Sequence, residues 1–433
     1  MSPLIVGCIG FLFLMFLMSM GMPIAFAFMA SGLLGITYLS GIKAALFAFG
    51  HISYHWSTVY VFICVPLFIF MGFMFSRCGV ARELYMVANK WVGRLPGGLG
   101  LATVGGCGLF AAVTGSSAAQ AASMSAIVYP EMRRYNYDKR LAVGAIAAGG
   151  TIGIMIPPSV GFIIYSLMTE ASIGELFMAG LIPGIREVIL YSITIVILVK
   201  MRPDLAPLSP DPVPWKEKIL SLKDVWPALI TFLVVLGGIY LGVFTPVAAA
   251  GIGAAMAILI TFTMRRLTWR ILVECMLSST RVTAMIFLLI MGAMVFNTFL
   301  AMSNLPQALS EILGGINSKA LLIAIILIIY FPLGALMDTT SMFVLTVPLY
   351  LPTLIANDIN LLWFGVLAVR CSEIGLISPP VGMNVYIVKG MVKDVSLEEA
   401  FEGVIPFLIT DTFILALLAL FPQLSLFIPN LMW

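Results

Sequence analysis

This sequence is short of the groups that keep a chain in water. Only 10% of its 433 residues are charged, against ~25% in an ordinary soluble domain, and only two are histidine. With 61% hydrophobic residues and a mean hydropathy of +1.10, it has too few polar groups to cover its own exterior. A water-soluble fold is therefore excluded, and lipid must be the solvent. The six cysteines (Cys8, Cys64, Cys78, Cys107, Cys275, Cys371) are scattered without a C-x-x-C pair, which excludes the common zinc and redox motifs. They read as small apolar packing residues. His51 and His55 stand four apart beside Trp56 with no third ligand nearby, and read as part of a lipid-interface helix. The chain has no G-x-x-x-x-G-K-[ST], so it shows no P-loop for ATP hydrolysis. Nor does it carry a Ser/His/Asp arrangement or carboxylates paired at a fixed spacing, which argues against an enzyme. The small net charge of +3 sits in loops and suits phospholipid and topology rather than nucleic acid.

What the chain has is apolar length. A helical crossing of the hydrocarbon core needs ~20 apolar residues. Residues 3–20, 23–40, 58–76, 176–199, 227–244, 246–264, 282–302 and 404–421 qualify. The first of these lacks a basic n-region and an A-x-A site, so it reads as a retained span rather than a signal peptide.

The chain also repeats itself. T-I-G-I-M-I-P-P at 151–158 returns as E-I-G-L-I-S-P-P at 373–380, 222 residues on, and Pro130 returns as Pro352 at the same spacing. Pro23, Gly180 and Pro183 find Pro246, Gly403 and Pro406 at 223, and Met71-Gly72 finds Met291-Gly292 at 220. This gives a first repeat over 1–199 and a second over 227–433. The joint, 200–226, holds Pro203, Pro207, Pro210, Pro212 and Pro214 and reads as a cytoplasmic linker with a surface helix.

Loop charge assigns the sides, because cytoplasmic loops carry the excess Lys and Arg. Arg133, Arg134, Lys139 and Arg140 put 132–140 in the cytoplasm, yet the counterpart 354–362 has no basic residue. Conversely 169–175 has none, while its counterpart holds Lys393 with Lys389 just before it. The same repeat position thus falls on opposite sides, which is the mark of an inverted repeat. Counting five crossings in the first repeat puts the N-terminus in the periplasm. The count leaves 98–130 as a re-entrant hairpin with its tip at Gly115-Ser116-Ser117. Symmetry predicts a second hairpin, 319–352, with its tip at Met337-Asp338-Thr339-Thr340. The Pro-Pro stretches break helices at 141–168 and 361–390, since proline lacks an N–H and clashes with the preceding turn. The expected fold is an all-α polytopic membrane protein with two re-entrant hairpins and two broken helices.

Non-helical backbone at membrane depth is tolerated only inside protein or beside water. Freed carbonyls and nearby hydroxyls are hard oxygen ligands that suit Na⁺, and helix N-termini at the tips suit an anion. Each repeat then offers one Na⁺ site between its tip and its break. The first uses Ser116, Ser117, Gly153, Ile156 and Pro158. The second uses Asp338, Thr339, Gly375, Ser378 and Pro380. The expected substrate contacts are Arg370, Ser116 and Thr340. Ionisable groups at membrane depth are costly and default to functional candidates. Arg370 and Glu373, three apart, can pair with each other, or Arg370 can meet a substrate carboxylate. Asp338 can bind Na⁺ or carry a proton.

The stretches G-S-S-A-A-Q-A-A-S-M at 115–124, G-T-I-G-I-M-I-P-P-S at 150–159 and R-C-S-E-I-G-L-I-S-P-P-V-G-M-N at 370–384 resemble the large membrane subunit of tripartite ATP-independent periplasmic (TRAP) transporters. The likeness covers essentially the whole chain. It implies Na⁺-coupled uptake of an organic acid of the C4-dicarboxylate or sialic acid class across the bacterial inner membrane. It also implies a periplasmic substrate-binding protein and a small four-helix membrane subunit, read here as unfused. An elevator motion of the hairpins and broken helices against a scaffold belongs to the same expectation. The alternative is a stand-alone Na⁺- or H⁺-coupled carboxylate carrier or antiporter without a binding protein.

Overall fold

Helices form wherever the chain is apolar on every face, and they end at glycine, proline or polar caps. In the computed structural model, which describes residues 1–207, 213–314 and 318–432, no strand occurs among the described residues. The first repeat comprises α1 (Pro3–Ser19), α2 (Ile24–Ser40), α3 (Ile42–Thr58), α4 (Cys64–Arg77), α5 (Val80–Val92), α6 (Gly98–Thr114), α7 (Ser117–Arg134), α8 (Lys139–Met155), α9 (Val160–Thr169) and α10 (Ile173–Met201). The linker holds α11 (Trp215–Ser221), while Pro210 and Pro212 lie outside the described residues, as does Trp433. The second repeat comprises α12 (Trp226–Tyr240), α13 (Pro246–Thr263), α14 (Trp269–Met302), α15 (Leu305–Gly314), α16 (Lys319–Leu336), α17 (Thr339–Ala356), α18 (Leu361–Ile377), α19 (Met383–Met391), α20 (Leu397–Leu420) and α21 (Gln423–Leu426). Among the described residues eight helices are long and apolar enough to cross a membrane, or nine if the bent pair α8 and α9 is one span.

The helices pack as two bundles. One is α1–α4 with α12–α14, centred on α2 against α14 and α4 against α13. Small residues let these helices close up: a side chain on Gly32 would meet the Phe296 backbone nitrogen at 2.7 Å. The other bundle is α6–α10 with α16–α21, in which α8 packs on α20 and α16 on α18. The bundles meet where α4 lies along α6 and α14 along α17. Two short helices, α5 and α15, carry the chain from the first bundle into the hairpins α6–α7 and α16–α17. Neither was legible as a span. α5 is amphipathic, with Val80, Leu84 and Tyr85 buried while Arg82 and Lys90 are not.

The packing crosses between the two halves of the chain. α17 lies on α9, and α7 lies on α19, so each hairpin's second arm packs on the far half of the other repeat's broken helix. The hairpin arms run past the prolines: α7 continues beyond Pro130 to Arg134 and α17 beyond Pro352 to Ala356.

Candidate functional site

Both tips and both breaks are real interruptions. α6 stops at Thr114, Gly115 turns the chain with φ +64°, and Ser116 caps α7 by accepting from the Ala119 N–H at 3.4 Å. α16 stops at Leu336, and Asp338 caps α17. Its carboxylate accepts from the N–H groups of Thr340 (3.0 Å) and Ser341 (3.3 Å) and from the Ser341 hydroxyl. α8 stops at Met155 and α9 starts at Val160, with a bend of 43° between them. α18 stops at Ile377 and α19 starts at Met383. The Pro157–Pro158 and Pro379–Pro380 peptide bonds are both cis.

The tips meet at one cavity of about 540 Å³. Ser116, Ser117, Ala118 and Ala119 line it from the first hairpin, and Asp338, Thr339 and Thr340 from the second. Ile154, Val160, Leu376 and Met383 beside the breaks complete that wall. The opposite wall belongs to the other bundle, from Ile69 along α4 to Arg77 and from Val282 to Ile286 on α14. The first turns of α7 and α17 both open onto this space, so two helix N-termini bring partial positive charge to it. Hydroxyls supply most of the polar lining, joined by the Asp338 carboxylate and by Arg77.

The structure brings the first-repeat candidates together. The Val160 N–H donates to the Gly115 carbonyl at 3.2 Å, and a side chain on Gly115 would meet the Pro158 carbonyl oxygen at 2.5 Å. Tip and break therefore touch. Ile156 caps α8, with its N–H on Ile152 O at 3.2 Å. Gly153 leaves room for Gln120, whose amide a side chain there would meet at 2.7 Å. That amide donates to Cys107 O (3.0 Å) and Gly149 O (2.9 Å) and accepts from Thr114 (2.9 Å), tying α6, α7 and α8 together. Gln120 was missed at the sequence level, although an amide among alanines at membrane depth was the signal.

The second-repeat candidates divide. Thr339 is buried and donates to Glu373 Oε1 at 2.9 Å while accepting from Ser372 at 3.1 Å. Gly375 faces the Gly334 backbone closely, which fixes it as a packing glycine between α16 and α18. Ser378 turns back to bond Ile374 O at 2.6 Å, and Pro380 is exposed. Among the described residues no hydrogen bond joins the second tip to Ser378 or Pro380.

Two readings of the charges are corrected. Arg370 does not pair with Glu373, and it does not line the cavity. It is fully buried, with Nη1 2.7 Å from Glu187 Oε1 and Nη2 donating to Asp411 and, at 3.1 Å, to the Tyr191 hydroxyl. Glu187 and Tyr191 come from the first repeat, so sequence neighbours gave no sign of the pairing. Glu373 instead joins the two tips, because Ser117 at 3.4 Å reaches the same oxygen as Thr339. Ser117 and Thr339 are repeat equivalents, 222 residues apart. Glu187 and Asp411 could have been flagged as acids inside apolar spans.

The family described as "Tripartite ATP-independent periplasmic transporter, DctM component" matches residues 11–424. The chain is 32% identical over 433 residues to a sialic acid TRAP transporter large permease protein of Vibrio cholerae, covering 99% of this chain and 98% of that one. It is 33% identical over 389 residues to a C4-dicarboxylate TRAP transporter large permease protein of Rhodobacter capsulatus, covering 86% and 87%. Among solved structures, the YdaH transporter of Alcanivorax borkumensis superposes with a TM-score of 0.63 at 13% identity, covering 88% of this chain and 89% of that one. That likeness concerns the fold alone.

Proposed function

Since this chain belongs to the DctM family of tripartite ATP-independent periplasmic transporters, as its match over 11–424 shows, we propose that it is the large permease of a Na⁺-coupled symporter for an organic acid. The observation that carries this reading is the cavity where both hairpin tips present helix N-termini and hydroxyls to one space. The chain lies in the bacterial inner membrane with its N-terminus in the periplasm, and both hairpins are re-entrant. The two repeats run over 1–199 and 227–433. A periplasmic binding protein delivers the acid, and a small four-helix subunit completes the permease. The substrate is of the sialic acid or C4-dicarboxylate class, as in the names of the two relatives.

The chemistry assigns roles. The carboxylate of the acid sits between the α7 and α17 N-termini, near the hydroxyls of Ser116 and Thr340. One Na⁺ is held at the first tip and break by Ser116, Ser117, Gly153, Ile156 and Pro158. A second is held by Asp338, Thr339, Gly375, Ser378 and Pro380. Arg77 marks the cytoplasmic end of α4, so the cavity opens toward the cytoplasm. The hairpin bundle moves as an elevator against α1–α4 and α12–α14. Each net charge carried inward supplies ~2.3 kcal/mol per 100 mV. Two Na⁺ with a monoanion therefore gain from voltage, whereas two with a dianion do not.

Proteoliposomes holding the permease and its small subunit test this reading. Labelled sialic acid or succinate should enter only with the binding protein outside and a Na⁺ gradient directed inward. Uptake that persists without the binding protein would favour a stand-alone carrier, and uptake indifferent to Na⁺ would remove the ion sites.

A further inference from the structure

Behind the cavity, the hairpin bundle encloses a second polar centre that transport as described above does not use. Arg370 on α18 faces two carboxylates, Glu187 on α10 and Asp411 on α20, and all three side chains are completely shielded from solvent. Thr151 on α8 donates to Glu187 Oε1 at 2.8 Å, and the Tyr191 hydroxyl accepts from Arg370 at 3.1 Å. Each carboxylate keeps one buried oxygen, Glu187 Oε2 and Asp411 Oδ2, with no hydrogen-bond partner.

The charges do not balance. One guanidinium stands against two carboxylates; Glu373, one turn along α18, is a further acid, and Arg186, next to Glu187 on α10, is only part-buried and forms no ion pair among the described residues. The other elements packed here bring no second cation to the pair. α8 contributes the neutral Thr151, and Tyr165 on α9 donates to Leu361 O. Tyr330 on α16 and Tyr350 on α17 bond to each other, while Asp338 caps α17. On α6, the Cys107 carbonyl is taken up with Gln120. Lys389 on α19 reaches Val392 O, and α21 has no ionisable residue. A net negative charge sealed from water is far costlier than taking up a proton, which is how such groups ordinarily escape the penalty.

We propose that Glu187 and Asp411 share one bound proton, making Glu187–Arg370–Asp411 a neutral proton-binding site that clamps the first repeat to the second. The proton is resident rather than transported, because neither carboxylate lines the cavity. This site is independent of the Na⁺ reading. Removing that proton would leave a net negative charge sealed inside the bundle, so alkaline pH should weaken the fold.

The test uses the full-length chain and the variants Glu187→Gln, Asp411→Asn and Glu373→Gln. Infrared spectra at neutral pH report a protonated carboxyl through its carbonyl stretch, and thermal unfolding is followed from neutral to alkaline pH. The wild type should show the carboxylic-acid band and a melting temperature that falls as the pH rises. Glu373 is itself a sealed carboxylate with no ion pair among the described residues, so its contribution is removed first, and the Glu373→Gln background should keep a carboxylic-acid band and the decline. On that background Glu187→Gln and Asp411→Asn should each remove both, because either leaves a one-to-one ion pair that needs no proton. The proposal is overturned if Glu373→Gln alone loses the band, or if both further variants retain the band and the decline. Should neither further variant fold, Glu373→Gln still decides: the remaining band stays if the pair holds the proton and vanishes if it does not.

Discussion

The two broken helices come from one motif, yet they are closed differently. At the first, every residue from Thr151 to Val160 is buried, and the tip is latched to the break through Val160 N–H and Gly115 O at 3.2 Å. At the second, Pro379, Pro380 and Val381 are exposed, Met337 stands where Gly115 would be, and Gly382 stands where Val160 would be. There the tip is held from the side instead, by Thr339 on Glu373 and Ser372. The difference between the ends is chemical, since glycine and valine at the first are methionine and glycine at the second, and it is the kind of asymmetry that the proposed alternating access would use.

The sharpest way to break the comparison is at the tips themselves. Gly115 has a left-handed backbone and the Pro158 carbonyl 2.5 Å from where a side chain would begin, so Gly115→Ala must strain the turn and push the tip off the break. It should cost roughly 1–3 kcal/mol of stability and abolish Na⁺-driven uptake. Met337 already carries a side chain in extended backbone, so Met337→Leu should cost less than about 1.5 kcal/mol and leave uptake measurable. Thermal unfolding and proteoliposome flux read both variants. Equal losses would mean that the latch does not distinguish the two ends.

Glycines inside the breaks sharpen the same contrast. Gly375→Ala drives a methyl group into the Gly334–Ala335 backbone, which cannot yield, and should destabilise by roughly 2 kcal/mol. Gly153→Ala meets the Gln120 side chain, closest at its amide oxygen (2.7 Å) and less closely at its Cβ (3.2 Å); the amide can swing at the expense of its hydrogen bonds, so about 1 kcal/mol is expected. A reversed order in melting temperature would show that Gln120 is the more rigid wall.

How much of this was legible depends on whether the cause is local. Apolar length gave the spans, and Pro-Pro after glycine gave the breaks, because proline and glycine act on their own backbone. The tips were legible for the same reason: Ser116 and Asp338 are local caps. The partners of Arg370 were not, since Glu187, Tyr191 and Asp411 lie on α10 and α20 and meet it only after both repeats have packed. Glu373 was read against its neighbour on the helix, whereas its bonds run to residues 256 and 34 positions away. The unequal closure of the breaks had no signal in the motif, because I-P-P and S-P-P both stop a helix and neither says what covers it. α14 also begins at Trp269, well before the apolar run at 282, where the Thr268 hydroxyl caps it by accepting from the Ile271 N–H at 3.2 Å.

Glu373 allows a smaller comparison. Thr339 holds it at 2.9 Å and Ser117 at 3.4 Å, on the same oxygen. Thr339→Val should cost about 1 kcal/mol and Ser117→Ala distinctly less. If the two melting temperatures fall equally, the carboxylate is shared evenly and the second tip is no more tightly held than the first.

The smallest effect belongs to the junction at the Arg133 end, where Asp394 between α19 and α20 meets the first repeat. It accepts from the Tyr129 hydroxyl at 2.7 Å and faces Arg133 at 3.4 Å and Lys139 at 4.0 Å. The Tyr129 bond first, and the two cations after it, hold its carboxyl below the usual range. A lowered value means that the folded chain binds the proton less readily than the unfolded one. The stabilisation is complete above the ordinary carboxylate range and is lost as the pH falls through the lower, folded value. The side chain is half exposed, so water screens most of the gain and about 0.5 kcal/mol is expected. Asp394→Asn should lower the melting temperature slightly at neutral pH and not at all in strong acid, where both proteins carry a neutral group. The repeat equivalent, Ser172, only caps its own helix α10, bonding the Glu175 N–H at 3.3 Å. Ser172→Ala should therefore shift stability without any acid dependence, and a pH-dependent shift there would mean that the two junctions are more alike than their charges suggest.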